Sequence, residues 1–141
     1  MANVIPYAFR GELFTGTHNF ASGGDSFKLA LYTASPYDTS STVYNATNEV
    51  SASGTNYTTT GNTLAGNAVA SGTAVASCDF TDSTWSSATF TAAFGAIYND
   101  SQSDKLCVVL DFSGNKTATN GTFTVTFPSP STPADAIISM A

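Results

Sequence analysis

Apolar and polar residues alternate with a period of two along most of the chain, in short runs broken by Gly, Asn, Ser and Pro. Phe27, Leu29 and Leu31 fall on one face of a strand, with Lys28, Ala30 and Tyr32 on the other. The same rule predicts strands over residues 73–80, 105–112 and 122–127, the last with Phe123, Val125 and Phe127 inward. Residues 90–98 fit two periods. Phe90, Phe94 and Tyr98 stand four apart, as on a helix, but Thr, Phe and Tyr content favours a strand with a kink near Gly95. The polar stretch Asn99–Asp104 joins this strand to 105–112 as a hairpin. Ser113–Lys116 is predicted to turn again, and Asn120-Gly121 either turns a hairpin or starts the next strand. Pro128, Pro130 and Pro133 end the 122–127 strand. Ala136–Met140 is a last strand, expected to be paired and buried. Seven to nine short strands between turns predict an all-β fold, an antiparallel β-sandwich or barrel. No fixed-period repeat is present.

The start of the chain departs from this pattern. Phe9 and Leu13 share a helical face, Pro6 suits a first turn and Gly16 a C-terminal cap, while Gly11 weakens the helix. The reading is a short helix over about residues 7–15, or an extended arm packed on a neighbouring subunit. Residues 1–141 are taken as one domain, with 1–24 as arm or short helix and 25–141 as the β-sandwich. Asn19–Ser26 reads as a turn. Residues 35–48 form a polar loop that binds, packs or simply crosses the surface.

Composition narrows the function. The 141 residues are 42% hydrophobic and 12% aromatic but only 10% charged. Eighteen serines and 22 threonines make the surface polar through hydroxyls. A net charge of −6 argues against binding nucleic acid, which requires clustered cations, and against anionic lipid. No apolar run reaches membrane-spanning length, and residues 1–25 lack the features of a signal peptide.

No catalytic motif stands out, so an enzyme is not expected. His18 is the sole histidine, without a diagnostic carboxylate spacing or a Gly-x-Ser-x-Gly elbow, and reads as a polar turn or interface residue. Asp79 with Asp82, and Asp100 with Asp104, read as solvated turn acids or as loop ligands for calcium. No metal or cofactor is expected. Five Asn-x-Ser/Thr triplets are the chance yield of a threonine-rich chain. Cys78 shares a face with Ala76 and Phe80, whereas Cys107 points away from Leu106, Val108 and Leu110. A disulfide between them needs a bulge or register change, and two buried thiols is the reading adopted. Trp85, Tyr37, Tyr44 and Tyr57 either anchor the core and sheet ends or form a sugar-stacking platform.

Several stretches in order carry a resemblance. They include Phe14-Thr15-Gly16-Thr17-His18-Asn19-Phe20, Asp25 to Thr33, Gly54-Thr55-Asn56-Tyr57, Thr84 to Ala92, Ala96-Ile97-Tyr98-Asn99, Val109 to Phe112 and Gly121-Thr122-Phe123. Together they resemble small structural proteins of tailed bacteriophages and prophages. The resemblance implies a virion component assembled in the host cytoplasm. The expected role is a capsid decoration (cement) protein bound to the major capsid protein or other virion proteins, as a homo-oligomer with a trimer favoured. A tail, neck or fibre component is the alternative, and a carbohydrate-binding module the alternative of another class. Val4, Ile5, Tyr7, Phe9, Tyr37 and Tyr44 are the candidate interface residues.

Overall fold

The computed structural model describes residues 2–72, 74–128 and 136–140. A helix α1 (Tyr7–Phe14) precedes strands β1 (Phe27–Tyr32), β2 (Asn62–Thr63), β3 (Ala68–Ser71), β4 (Ala76–Asp79), β5 (Ser83–Asn99), β6 (Lys105–Val125) and β7 (Ile138–Met140). The strands form two antiparallel sheets, β2-β1-β5-β6 and β3-β4-β7, in a sandwich-like arrangement as the period-two pattern predicts. A single 3₁₀ turn, Asp100–Gln102, closes the β5–β6 hairpin at the expected polar stretch.

That hairpin runs much further than its turn residues suggest. Ser113–Lys116 and Asn120-Gly121 do not end a strand; they lie within β6. The extra residues are absorbed as bulges. Ala92 pairs with Lys116 and Phe94 with Asp111, so the residues between protrude, with Ser113 and Gly114 at positive φ. Asn120 adopts φ 46° where one residue of β6 is in excess, and its N–H donates to Thr89 Oγ1 at 2.9 Å. Asn tolerates this left-handed conformation, which explains why its turn chemistry appears without a turn. Gly95 itself pairs in register with Leu31 and Leu110, and the irregularity expected near it is the register shift between Ala92 and Phe94. A Cβ on Gly95 would stand 3.1 Å from Leu29 Cδ1 and from Phe112 Cζ, so the residue is glycine for close approach. On the open face of the hairpin, Thr91 and Thr117 bond at 2.7 Å and Thr84 and Thr124 at 3.2 Å, which puts threonine where β-branching and a hydroxyl both serve the ladder.

Where β1 lies beside β5, the upper part of the four-stranded sheet, both faces are buried. Phe27, Leu29, Leu31, Ile97 and Val108 enter the main core with Phe9, Phe20, Phe80, Trp85 and Phe123. Ala30, Tyr32, Ala96, Tyr98, Leu106 and Val109 enter a second core capped by Tyr37. The polar loop 35–48 is therefore a packing loop. It is tied to the sheet by Tyr44 N–H to Asp104 O at 2.8 Å and Leu106 N–H to Thr42 O at 3.0 Å. The amino-terminal residues also fold onto the sheet, with Val4 and Val109 exchanging hydrogen bonds of 2.9 and 2.8 Å.

Helix α1 ends as its sequence requires. Thr17 N–H donates to Glu12 O at 3.0 Å and Gly16 N–H to Leu13 O at 3.3 Å, with Gly16 at φ 68°. Of the terminal strand only Ile138 is buried; Met140 is 58% exposed, contrary to the expected burial. Strand β7 sits at a sheet edge, paired with β4 alone. Thr73, Pro130 and Pro133 lie outside the described residues.

Two glycines test this account in opposite directions. Gly61 has φ 82°, and a Cβ would meet the Leu29 carbonyl oxygen at 1.9 Å. Gly61→Ala should lower stability by about 3 kcal/mol or more, read as a fall in the urea midpoint. Gly11 lies in α1 with nothing within 4 Å of a Cβ. Gly11→Ala should instead stabilise by about 1 kcal/mol, raising the melting temperature by roughly 3–5 °C.

Candidate functional site

His18 lies at a buried polar hub between α1 and the hairpin. Its side chain is fully enclosed, with Nε2 2.9 Å from Glu12 Oε2 and Nδ1 2.9 Å from Asn99 Nδ2. Asn99, at the end of β5, also donates from Nδ2 to Asp25 Oδ2 at 2.8 Å and accepts the Ser101 N–H at Oδ1 at 3.1 Å. Lys105 at the start of β6 reaches Glu12 Oε1 at 2.5 Å. The expected turn histidine is thus an internal tie, with its carboxylate six residues upstream across the helix cap. Burial pushes the Glu12 carboxyl up, but the hydrogen bonds from Lys105 and His18 outweigh it and hold it below the usual value. Asp25 is likewise held low, because the Asn19 N–H and the Asn99 amide outweigh burial.

Cys107 Sγ lies 4.0 Å from His18 Nδ1, which raises the question of a nucleophile and base. The geometry answers against it. The thiol is buried and faces the Lys105 carbonyl at 3.6 Å, and Nδ1 already accepts from Asn99. Burial drives the thiol well above its ordinary value, so it stays protonated. Cys78 is also buried and pushed up to about 12 by burial and Asp79. Both cysteines are free. Cys107 does reach the main core, because β6 carries one extra residue between the Ile97–Val108 and Tyr98–Leu106 pairs. The bulge that a bridge would need is present, yet no bridge forms.

A second hub closes the polar loop. Glu49 accepts at Oε2 from the Tyr44 hydroxyl at 2.5 Å, and at Oε1 from the Tyr57 hydroxyl at 2.7 Å and Thr60 N–H at 2.8 Å. Tyr32 and Tyr37 hydroxyls lie 2.7 Å apart, and the Tyr98 hydroxyl donates to Thr60 O at 2.6 Å. These tyrosines are consequently not a sugar-stacking platform. Tyr37, Tyr57 and Trp85 are buried, and the half-buried Tyr44 ring lies against Tyr98 with centroids 4.9 Å apart. Sequence reasoning missed Glu49 entirely; a lone acid among polar residues gives no spacing signal.

The candidate interface residues therefore divide. Phe9 and Tyr37 are buried within the chain's own cores, and Val4, Ile5 and Tyr44 are half-buried against them. Tyr7 is 62% exposed. It begins a stripe on the outer face of α1 that continues through Arg10 and Gly11 to Phe14, which is 93% exposed. The Arg10 guanidinium lies over the Tyr7 ring, 4.9 Å from its centroid. On the inner side of the same helix, Leu13 lines an apolar cleft of about 330 Å³ with Val69, Ile138 and Met140.

Three of the four suggested calcium ligands bond other parts of the chain. Asp79 accepts the Phe80 N–H and Asp82 the Phe127 N–H, while Asp100 pairs with Lys28 at 3.3 Å. Among the described residues no group of three metal-ligating side chains occurs.

The tyrosine hubs fix an alkaline limit. Burial raises the phenols of Tyr32, Tyr37, Tyr44, Tyr57 and Tyr98 above the ordinary value of about 10. Phenols raised on folding contribute stability that is complete below pH ~10 and lost as pH climbs further. Unfolding midpoints should hold to about pH 9 and then fall steeply, and in a Tyr7→Phe variant, which keeps only the five hub phenols, phenolate absorbance should rise together with loss of structure; hub phenols that ionised in a folded chain would contradict the hubs.

Comparison with known proteins identifies no relative of this chain: no family model, curated protein or solved structure matches.

Proposed function

We propose that the chain is a particle-building protein, and specifically a decoration (cement) protein of a bacteriophage head. It would bind the outer lattice of the major capsid protein as a homo-oligomer, with a trimer favoured. The observation that carries this reading is the outer stripe of α1. A large aromatic that is 93% exposed, beside Tyr7 and Arg10, has no role in the monomer's own core. Aromatic and arginine side chains are the groups most enriched at the energetic centres of protein interfaces. Gly11 between them leaves a low point where a partner's backbone approaches closely.

The mechanism is mass action. A protein that binds only the assembled shell stabilises it in proportion to occupancy. Few charges limit the electrostatic steering of such an encounter, so affinity rests on apolar contact. A tail, neck or fibre position would use the same surface on a different partner.

Purified protein added to undecorated heads should raise their melting temperature, and its position and copy number on the particle should be visible by electron microscopy. Phe14→Ala should weaken head binding by about tenfold or more while leaving the free protein's melting temperature within about 2 °C, as for truncation of an interface anchor. Failure of the unaltered protein to bind heads, tails or itself would overturn the reading.

A further inference from the structure

We propose that His18 is an acid-operated latch: its protonation forces the Asn99 amide to turn over and releases the segment around Asp25, between α1 and β1, from the β5–β6 hairpin. The inference concerns the chain alone and stands apart from its role in a particle.

The two amide ends of Asn99 are told apart by their other partners. Asp25 Oδ2 can only accept, and it lies 2.8 Å from Nδ2; the Ser101 N–H can only donate, and it lies 3.1 Å from Oδ1. The end facing His18 Nδ1 is therefore the NH₂ group. Nδ1 must accept, so the neutral ring carries its proton on Nε2 and donates it to Glu12. Every polar edge of an enclosed ring is thus assigned without freedom.

A second proton breaks that assignment. It sits on Nδ1, 2.9 Å from an amide nitrogen that is also a donor. The other atom facing Nδ1 is Cys107 Sγ at 4.0 Å, a weak acceptor whose proton is directed at Lys105 O. Asn99 can present its oxygen only by turning over. It then takes its donor from Asp25 and its acceptor from Ser101, both of which anchor the turns flanking β1 and β5. The ionisable groups around the ring are Glu12 on α1, Asp25 before β1, Lys105 and Cys107 on β6, and Cys78 on β4 across the adjoining cleft. Glu12 and Asp25 attract the imidazolium; burial and Lys105 oppose it. Glu12 and Asp25 are held low and both thiols high, so none of the four changes charge between pH 7 and 5. Asp79 is raised by burial, and its uptake of a proton on acidification favours the folded chain, the opposite sign.

The test uses the intact protein. Imidazole ¹⁵N spectra should show the neutral proton on Nε2. Amide exchange corrected for intrinsic rates should show protection in residues 19–26 falling at least about tenfold on acidification, in step with His18 protonation followed by ¹⁵N, while α1, β1 and central β5 hold. His18→Gln, which cannot take up the proton, should remove the pH dependence. A proton on Nδ1 at neutral pH, titration of His18 without loss of protection, or the same acid loss in His18→Gln would each overturn the latch. If the variant does not fold, the measurements on the unaltered chain decide alone.

Discussion

The upper β5–β6 hairpin, with β1 beside it, is buried on both faces, and the rest of the molecule is arranged to supply the two covers. An antiparallel sheet ordinarily leaves one face to water. Here Leu29, Leu31 and Ile97 point to one core, and Ala30, Tyr32, Ala96 and Tyr98 to the other. The first cover is made of α1, Phe20 and the small β3-β4-β7 sheet. The second is made of irregular chain between β1 and β2. That segment has no ladder of its own, and it is tied to the sheet by single backbone bonds: Val50 N–H to Leu31 O, Tyr44 N–H to Asp104 O and Leu106 N–H to Thr42 O.

Covering a sheet with loop and helix ends brings polar atoms inside, and a chain with ten acids spends several of them there. Glu49 collects two phenols and a backbone N–H; Glu12 and Asp25 hold His18 and Asn99 from either side. Asp79, itself buried, takes the Phe80 N–H. The acidic balance is thus partly an interior property, in which carboxylates serve as acceptor-only anchors for donors that cannot reach water. The Trp85 Nε1–H is the exception, buried without a hydrogen-bond acceptor among the described residues. Phe90 and Phe123 stand nearly edge-on to its ring, at 89° and 75°.

Alternation marked β1, β4 and most of β6, residue content decided residues 90–98, and the hairpin at Asn99–Asp104 was legible too; the short β2 and β3 were not. Nor was strand length. Ser113–Lys116 and Asn120-Gly121 carry turn chemistry because bulges need the same positive φ as turns, and local sequence does not distinguish a chain that bends from one that reverses. The faces of Phe90 and Tyr98 were assigned as one, yet they enter different cores. The pairing slips between Ala92 and Phe94, and a period-two count cannot carry across a slip. The tyrosines stayed open between sheet-end anchors and a surface platform for a related reason. Tyr37 and Tyr57 sit in polar sequence, but their neighbours in space come from β1 and Trp85. The Glu12–His18 pair was hidden because its geometry is created by the cap at Thr15–Gly16, which folds the chain back over the last helical turn.

Helix α1 brings these constraints together. Eight residues with a central glycine do not hold a helix in water, so its stability is borrowed from Phe9 in the core and from the His18 hub. Its inner face is therefore fully explained by the fold. Its outer face is not: alanine at position 11 fits the backbone and the space, and a polar residue at position 14 would leave the core unchanged. Folding alone would favour both replacements, since glycine lowers helix stability and an isolated exposed phenylalanine returns nothing for the water it orders. The residues that the fold does not need stand in one stripe at i, i+3, i+4 and i+7, and it is this stripe that supports the proposed interface. That is the physical case for a surface built to be covered.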